Sequence, residues 1–226
     1  MTDKNLIMGR SFYYEFFALP FFFSETDEKF QVWKKQLEYL KTSPITASNL
    51  ADFEAIERFD FEGFRAEQNT LLFDYSYTNI PTTASFYDEG RDDGMMKKLV
   101  VDTLRKSKFR KNEELCKDSE DFIGFIFYAM SSLLKEEADK GTFLSTELFV
   151  NTINNFIDEF IGFMKDSKEA NLFLHLANLM ESFFELERSL LGVEKPEEKP
   201  SIAKESMAKQ PYATNLKQPS EKFNWE

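Results

Sequence analysis

From residue 7 to residue 191, nearly every segment of the chain carries apolar side chains at a spacing near 3.6, the period that lines one face of an α-helix. The side chains at those positions are large. Phenylalanine occurs 26 times and glycine only 8 times, a mixture that suits bulky groups interlocking between helices better than strands joined by tight turns. The pattern predicts an all-α fold, a single bundle of about six to eight helices over residues 1–191. A chain of 226 residues, 42% of them hydrophobic, has room for one such domain and an appendage.

The spacing predicts a first helix over 7–23, carrying Phe12, Phe16, Phe17 and Leu19 before Pro20 and the FFF run. A second runs from Asp27 to Leu40. A third opens at Ser48 and continues through Phe53, Ile56, Phe59 and Phe64 toward Phe73. Pro81 and the loss of period mark a loop over 74–84. Ser85 is placed to cap the next helix, which holds Met95, Met96, Leu99, Val100 and Leu104. A basic connection over 105–117 leads to a helix starting at Asp118 or Ser119, apolar on nearly every side and expected to be the most buried. Helices over 142–164 and 169–191 complete the bundle.

After Gly192 four of the seven prolines fall between 196 and 219, and apolar residues thin out. Residues 192–226 are therefore expected to form an extended polar tail. Its best anchors for docking onto a groove of the bundle are Tyr212, Leu216, Phe223 and Trp225.

Charge and chemistry narrow the function. With 40 acidic and 28 basic residues the net charge is -12. The tail balances its own charges, so the excess belongs to residues 1–191, where it repels nucleic acid and anionic lipid and attracts a basic partner. No apolar run approaches the roughly 18 residues of a membrane span, and Arg10 and Glu15 interrupt the only N-terminal stretch resembling a signal peptide. Cys116 stands alone, which permits a reducing compartment and excludes an intrachain disulfide. His175 is the single histidine and residue 172 is leucine, so the Glu-x-x-His pairs of a di-iron bundle are missing. Phosphate-binding glycine loops are missing as well. No metal, cofactor or catalytic residue is predicted, and the chain reads as a binding protein rather than an enzyme.

Two segments carry a resemblance. The first reads Pro81-Thr-Thr-Ala-Ser85-Phe-Tyr87-Asp-Glu-Gly90, and the second, about thirty residues on, Glu120-Asp121-Phe122-Ile-Gly124-Phe-Ile-Phe-Tyr-Ala-Met130. Together they resemble the TorD/DmsD family of redox-enzyme maturation chaperones, whose members show a proline-containing loop leading into Ser-Val-Tyr and then an Asp-His-Ile/Leu-Gly/Ala helix ending in a methionine-containing apolar stretch. Pro81, Ser85, Tyr87, Asp121, Gly124 and Met130 match. Phe122 replaces the usual histidine, and one proline stands where two are common.

The resemblance implies a TorD-like helical bundle that works in the cytoplasm as a monomer or homodimer. It would bind the twin-arginine signal peptide of a molybdopterin enzyme of the dimethyl sulfoxide reductase superfamily, and hold the precursor for cofactor insertion before export. Formate dehydrogenase, trimethylamine oxide reductase and dimethyl sulfoxide reductase are all open as clients. By the same resemblance the leader would meet Tyr77, Pro81, Ser85, Tyr87, Glu120, Asp121 and Phe122. Five of these also have a structural reading: Ser85 as a cap, Pro81 as a loop residue, Tyr87 and Phe122 as core aromatics, Asp121 as a first-turn carboxylate. The competing functions are a non-catalytic scaffold for a folded redox-enzyme subunit and, more remotely, a nucleotide-binding enzyme.

Overall fold

A computed structural model describes residues 4–24, 26–74 and 79–209, and among these there are helices and turns but no strand. The bundle is built around α1 (Lys4–Ala18), which buries Tyr14, Phe16 and Phe17 completely. The helix was expected to reach residue 23. It stops at Ala18 and passes into a 3-10 turn, Leu19–Phe21, because Pro20 has no N–H to bond to the carbonyl of residue 16. That carbonyl is not left bare. The indole Nε1 of Trp33, on α2 (Asp27–Lys41), donates to Phe16 O at 2.9 Å while its ring stacks on Phe16 with centroids 5.2 Å apart.

The predicted third helix is two helices, α3 (Asn49–Glu57) and α4 (Phe61–Gln68). Asp60 separates them by accepting a hydrogen bond from Gly63 N at 2.8 Å, an N-cap inside the apolar pattern. A π-helical turn, Asn69–Phe73, closes α4. The predicted fourth helix also divides. Helix α5 (Ala84–Glu89) ends at Gly90, whose φ of 69° reverses the chain before α6 (Met95–Arg105). Ser85 does not cap α5, since Thr83 holds the N-cap position.

Helix α7 (Ile123–Lys140) starts later than the sequence suggests, and Asp118 to Asp121 stay outside it. Ile123, Ile126, Phe127, Met130 and Leu134 are wholly buried, and Ser11 Oγ donates to Ser131 O at 3.0 Å where α1 lies along it. Helix α8 (Leu144–Leu148), a second π-helical turn (Phe149–Ile153) and α9 (Asn154–Asp166) form one continuous rod, and α10 (Leu172–Leu191) packs against it. Glu67 of α4 caps α10 from a distance, its carboxylate accepting from the amides of Asn171, Leu172 and Phe173 at 2.7, 2.9 and 2.8 Å.

Beyond Gly192 the chain forms a short helix, α11 (Ile202–Ala208), which buries Ala203 and lays Ile202 and Ser206 against Gly90. Tyr212, Leu216, Phe223 and Trp225 lie outside the described residues.

Burial raises the phenol of Tyr13 to about 12 and those of Tyr14 and Tyr87 well above the ordinary value of 10.0. A group with a raised folded pKa contributes stability that is fully present below its unfolded pKa and is lost as pH rises past it. The melting temperature is therefore expected to fall above pH 10. A fraction of the phenolate absorbance near 295 nm should appear only together with the loss of helical circular dichroism, and complete titration with the helices intact would contradict these burials. Replacing Glu67 with Ala should cost about 1–2 kcal/mol in denaturant titration, as for loss of an N-cap.

Candidate functional site

The two segments that carry the resemblance meet at the N-termini of α5 and α7. Thr83 and Phe122 face one another across a single antiparallel bridge. On either side the two chains cap each other: Ala84 N donates to Asp121 O, and Ile123 N donates to Thr82 O, both at 2.8 Å. Each helix thus begins with an amide satisfied by the segment that precedes the other.

Asp121 adds its side chain to this bracket. It is fully buried, its Oδ2 accepts from Ser85 N at 3.3 Å, and its Oδ1 has no hydrogen-bond partner. The carboxylate acts at the start of α5, not in the first turn of its own helix. Ser85 is equally buried and its Oγ accepts from Lys97 N at 3.4 Å, tying α5 to α6. Tyr87 donates its phenol to Pro81 O at 2.8 Å, and its ring packs on Phe156, Phe160 and Phe163 of α9. Desolvation, and then the charge of Glu159, keep that phenol neutral. Phe122 lies edge-on to Phe22 with centroids 5.0 Å apart. Gly124 makes this possible, because a Cβ there would stand 2.8 Å from carbons of both rings.

Pro81, Ser85, Tyr87, Asp121 and Phe122 therefore form one connected unit. Glu120 sits on its rim, 3.7 Å from both Lys97 and Lys111. Tyr77 lies outside the described residues. Most of these side chains point inward and set the shape of the loop. The accessible surface beside them belongs to residues that the motifs do not name. Asp88, Asp92 and Asp93 are exposed carboxylates on and after α5. Asp92 accepts from Thr83 Oγ1, and Asp93 accepts from Lys97 at 2.6 Å and from Ser119 at 3.1 Å. An aromatic strip continues from Phe122 through Phe22 to Tyr128, with Phe23 beside it against Phe73. Phe23 is 42% and Tyr128 38% exposed. The FFF run directly after Pro20 was the available signal, since rings beyond the end of a helix cannot all face its core.

The surface combines exposed carboxylates with aromatic rings, and it suits binding of a cationic, partly apolar segment. Among the described residues no group of three or more His, Cys, Asp or Glu side chains is arranged to hold a metal ion.

A family model described as nitrate reductase delta subunit matches residues 45–162, more than half of the chain and a span that contains both halves of the bracket. Neither a curated protein nor a solved structure matches.

Gly124→Ala should destabilise the protein by about 1–3 kcal/mol, because two rings packed against each other must separate to admit a methyl group. Asp121→Ala should cost about 1–2 kcal/mol through loss of the α5 cap. Asp121→Asn, which keeps an acceptor for Ser85 N, should cost less than the alanine change. Urea titrations followed by circular dichroism would check the order, and an equal loss in the two Asp121 variants would count against the cap.

Proposed function

The chain belongs to the nitrate reductase delta subunit family, a family of redox-enzyme maturation chaperones without catalytic function whose partners are molybdoenzyme subunits, and from that premise we propose that it binds the twin-arginine leader of a molybdopterin enzyme precursor. It holds the precursor in the cytoplasm while cofactor is inserted and releases it for export. No described helix is long and apolar enough to cross a membrane.

The observation that carries this reading is the hydrogen-bonded joining of the Pro81–Tyr87 and Glu120–Phe122 segments, on which the resemblance to the TorD/DmsD chaperones rests. In this reading the buried members of the bracket, Ser85, Asp121 and Tyr87, keep the loop in shape. The exposed Asp88 and Asp92 and the rim carboxylate Glu120 meet the two arginines. The strip of Phe22, Phe23, Phe73 and Tyr128 takes the apolar stretch that follows. Coulomb attraction toward a body of charge -12 steers the leader and sets its register. Apolar burial supplies most of the affinity, at about 25 cal/mol per Å² before ordering costs.

Calorimetric titration with a synthetic peptide of two adjacent arginines followed by an apolar segment tests the reading. The double change Asp88→Asn and Asp92→Asn should weaken binding about tenfold, or ~1.4 kcal/mol, and should flatten its salt dependence without lowering the melting temperature. Asp121→Asn should leave the salt dependence as it is. Absence of peptide binding alongside tight binding of a folded molybdoenzyme subunit would replace this function with that of a scaffold.

A further inference from the structure

Residues 194–208 cross the outer face of α5 and α9 as a strap. They are held in an uneven way. Asn154 donates its side-chain amide to Glu194 O at 3.0 Å, Lys195 lies 3.6 Å from Asp158, Ser201 donates to Glu159, and Lys204 lies 3.5 Å from Asp166 with its ammonium over the ring of Phe163. Along the strap only Ala203 is buried. Exposed ionic contacts of this kind hold a segment weakly, and a segment with so little buried apolar surface opens readily. The strap also fails to fill the space beneath it. A cavity of about 490 Å³ remains between it and α9, with Tyr87, Asp158 and Glu159 on the bundle side.

The face under the strap has a definite chemistry. Helix α9 presents Asp158, Glu159 and Asp166, which meet Lys195, Ser201 and Lys204. Phe163 and Tyr87 supply aromatic surface, and Gly90 brings the α5 backbone close enough for Ser206 and Ile202 to rest on it. A segment matching this face bears cations toward α9 and is helical where it crosses Gly90, with a small side chain such as that of Ser206 against the glycine.

We propose that the α5–α9 face is a docking groove for a basic amphipathic segment of the client, and that residues 194–208 occupy it in cis until the client displaces them. The identity of that client rests on the leader reading above. The groove and its cis occupant do not. Because α5 is common to the groove and to the bracket, a segment continuing from one surface to the other would displace the strap as it binds.

The test uses the full chain and two variants that disturb the strap while leaving the groove intact, Ala203→Asp and the milder Lys204→Glu. A fluorescent peptide of residues 194–209 supplied in trans is expected to bind the Ala203→Asp protein at least tenfold more tightly than the unaltered protein, with Lys204→Glu between them. The synthetic twin-arginine peptide is expected to displace it and to speed hydrogen exchange at 202–208 in the unaltered chain. Equal trans-peptide binding by all three proteins would overturn the groove. A twin-arginine peptide that binds the Ala203→Asp protein without displacing the trans peptide would overturn the client's competition for it. A twin-arginine peptide that binds none of the proteins would overturn the leader reading alone, with the trans peptide still deciding the groove.

Discussion

The buried ion pair between Arg10 and Glu187 sets the arrangement of the bundle. Nε and Nη2 of Arg10 donate to the two carboxylate oxygens at 2.5 and 3.0 Å, and Tyr14 donates to the same carboxylate at 3.0 Å. Two charges removed from water carry a large desolvation cost, offset only when their geometry is good and their remaining lone pairs are used. Burial works against the charge of Arg10, but the hydrogen bond to Glu187 and its field outweigh that and raise the guanidinium above its ordinary value. The pair is intact only when α1 lies in one register on α10. That register also puts Ser11 on Ser131 of α7. From Tyr14 a chain of rings runs through Phe127, Phe21 and Phe160 to Tyr87, each pair with centroids 5.1 to 6.1 Å apart. The bracket is thus positioned from the centre of the core.

Four helices begin on carboxylates supplied by other elements, one of them α6, where Glu89 of α5 accepts from Met95 N. Asp121 serves α5, Glu67 serves α10, and Glu137 serves α8 by accepting from Ser145 N and Oγ at 2.9 and 2.8 Å. Burial raises the pKa of Glu137 despite those two donors. A sequence rule for helix starts looks for Ser, Thr, Asp or Asn just ahead of the apolar pattern, and it cannot see a cap that arrives from another helix. The helical period between residues 7 and 191 was legible, and with it the all-α bundle. The missed starts at Phe61, Met95 and Ile123 are places where tertiary contacts or a local turn interrupt a hydrophobic stripe that itself runs on unbroken.

The candidate site was legible to the same depth. The motif residues are the ones that give the loop its shape, and their side chains are turned into the protein, as Ser85, Asp121 and Tyr87 show. Their types are demanded by geometry, so they form a pattern. Asp88, Asp92 and Phe23 stand where the fold constrains them little, and nothing in their spacing distinguishes them from ordinary surface. The strap was hidden for a related reason: one buried alanine and a few ionic contacts leave a composition that reads as solvated chain.

Helix α5 is where these constraints converge. At six residues it is far too short to persist by itself, so its stability comes from what touches it. Asp121 holds its first turn, the Tyr87 ring anchors its middle on α9, and Gly90 closes its end against α11. These contacts act on a single rigid turn and a half of backbone, so they are not independent. Loosening the Gly90 end frees the last turn, which changes how firmly Tyr87 can hold Pro81 and therefore the shape of the loop that faces the carboxylates. A longer helix, stable on its own hydrogen bonds, would insulate its two ends from each other. In a short one, stabilised only by its neighbours, the two ends are mechanically linked, and that is the physical basis of the proposed coupling between the bracket at one end of α5 and the strap at the other.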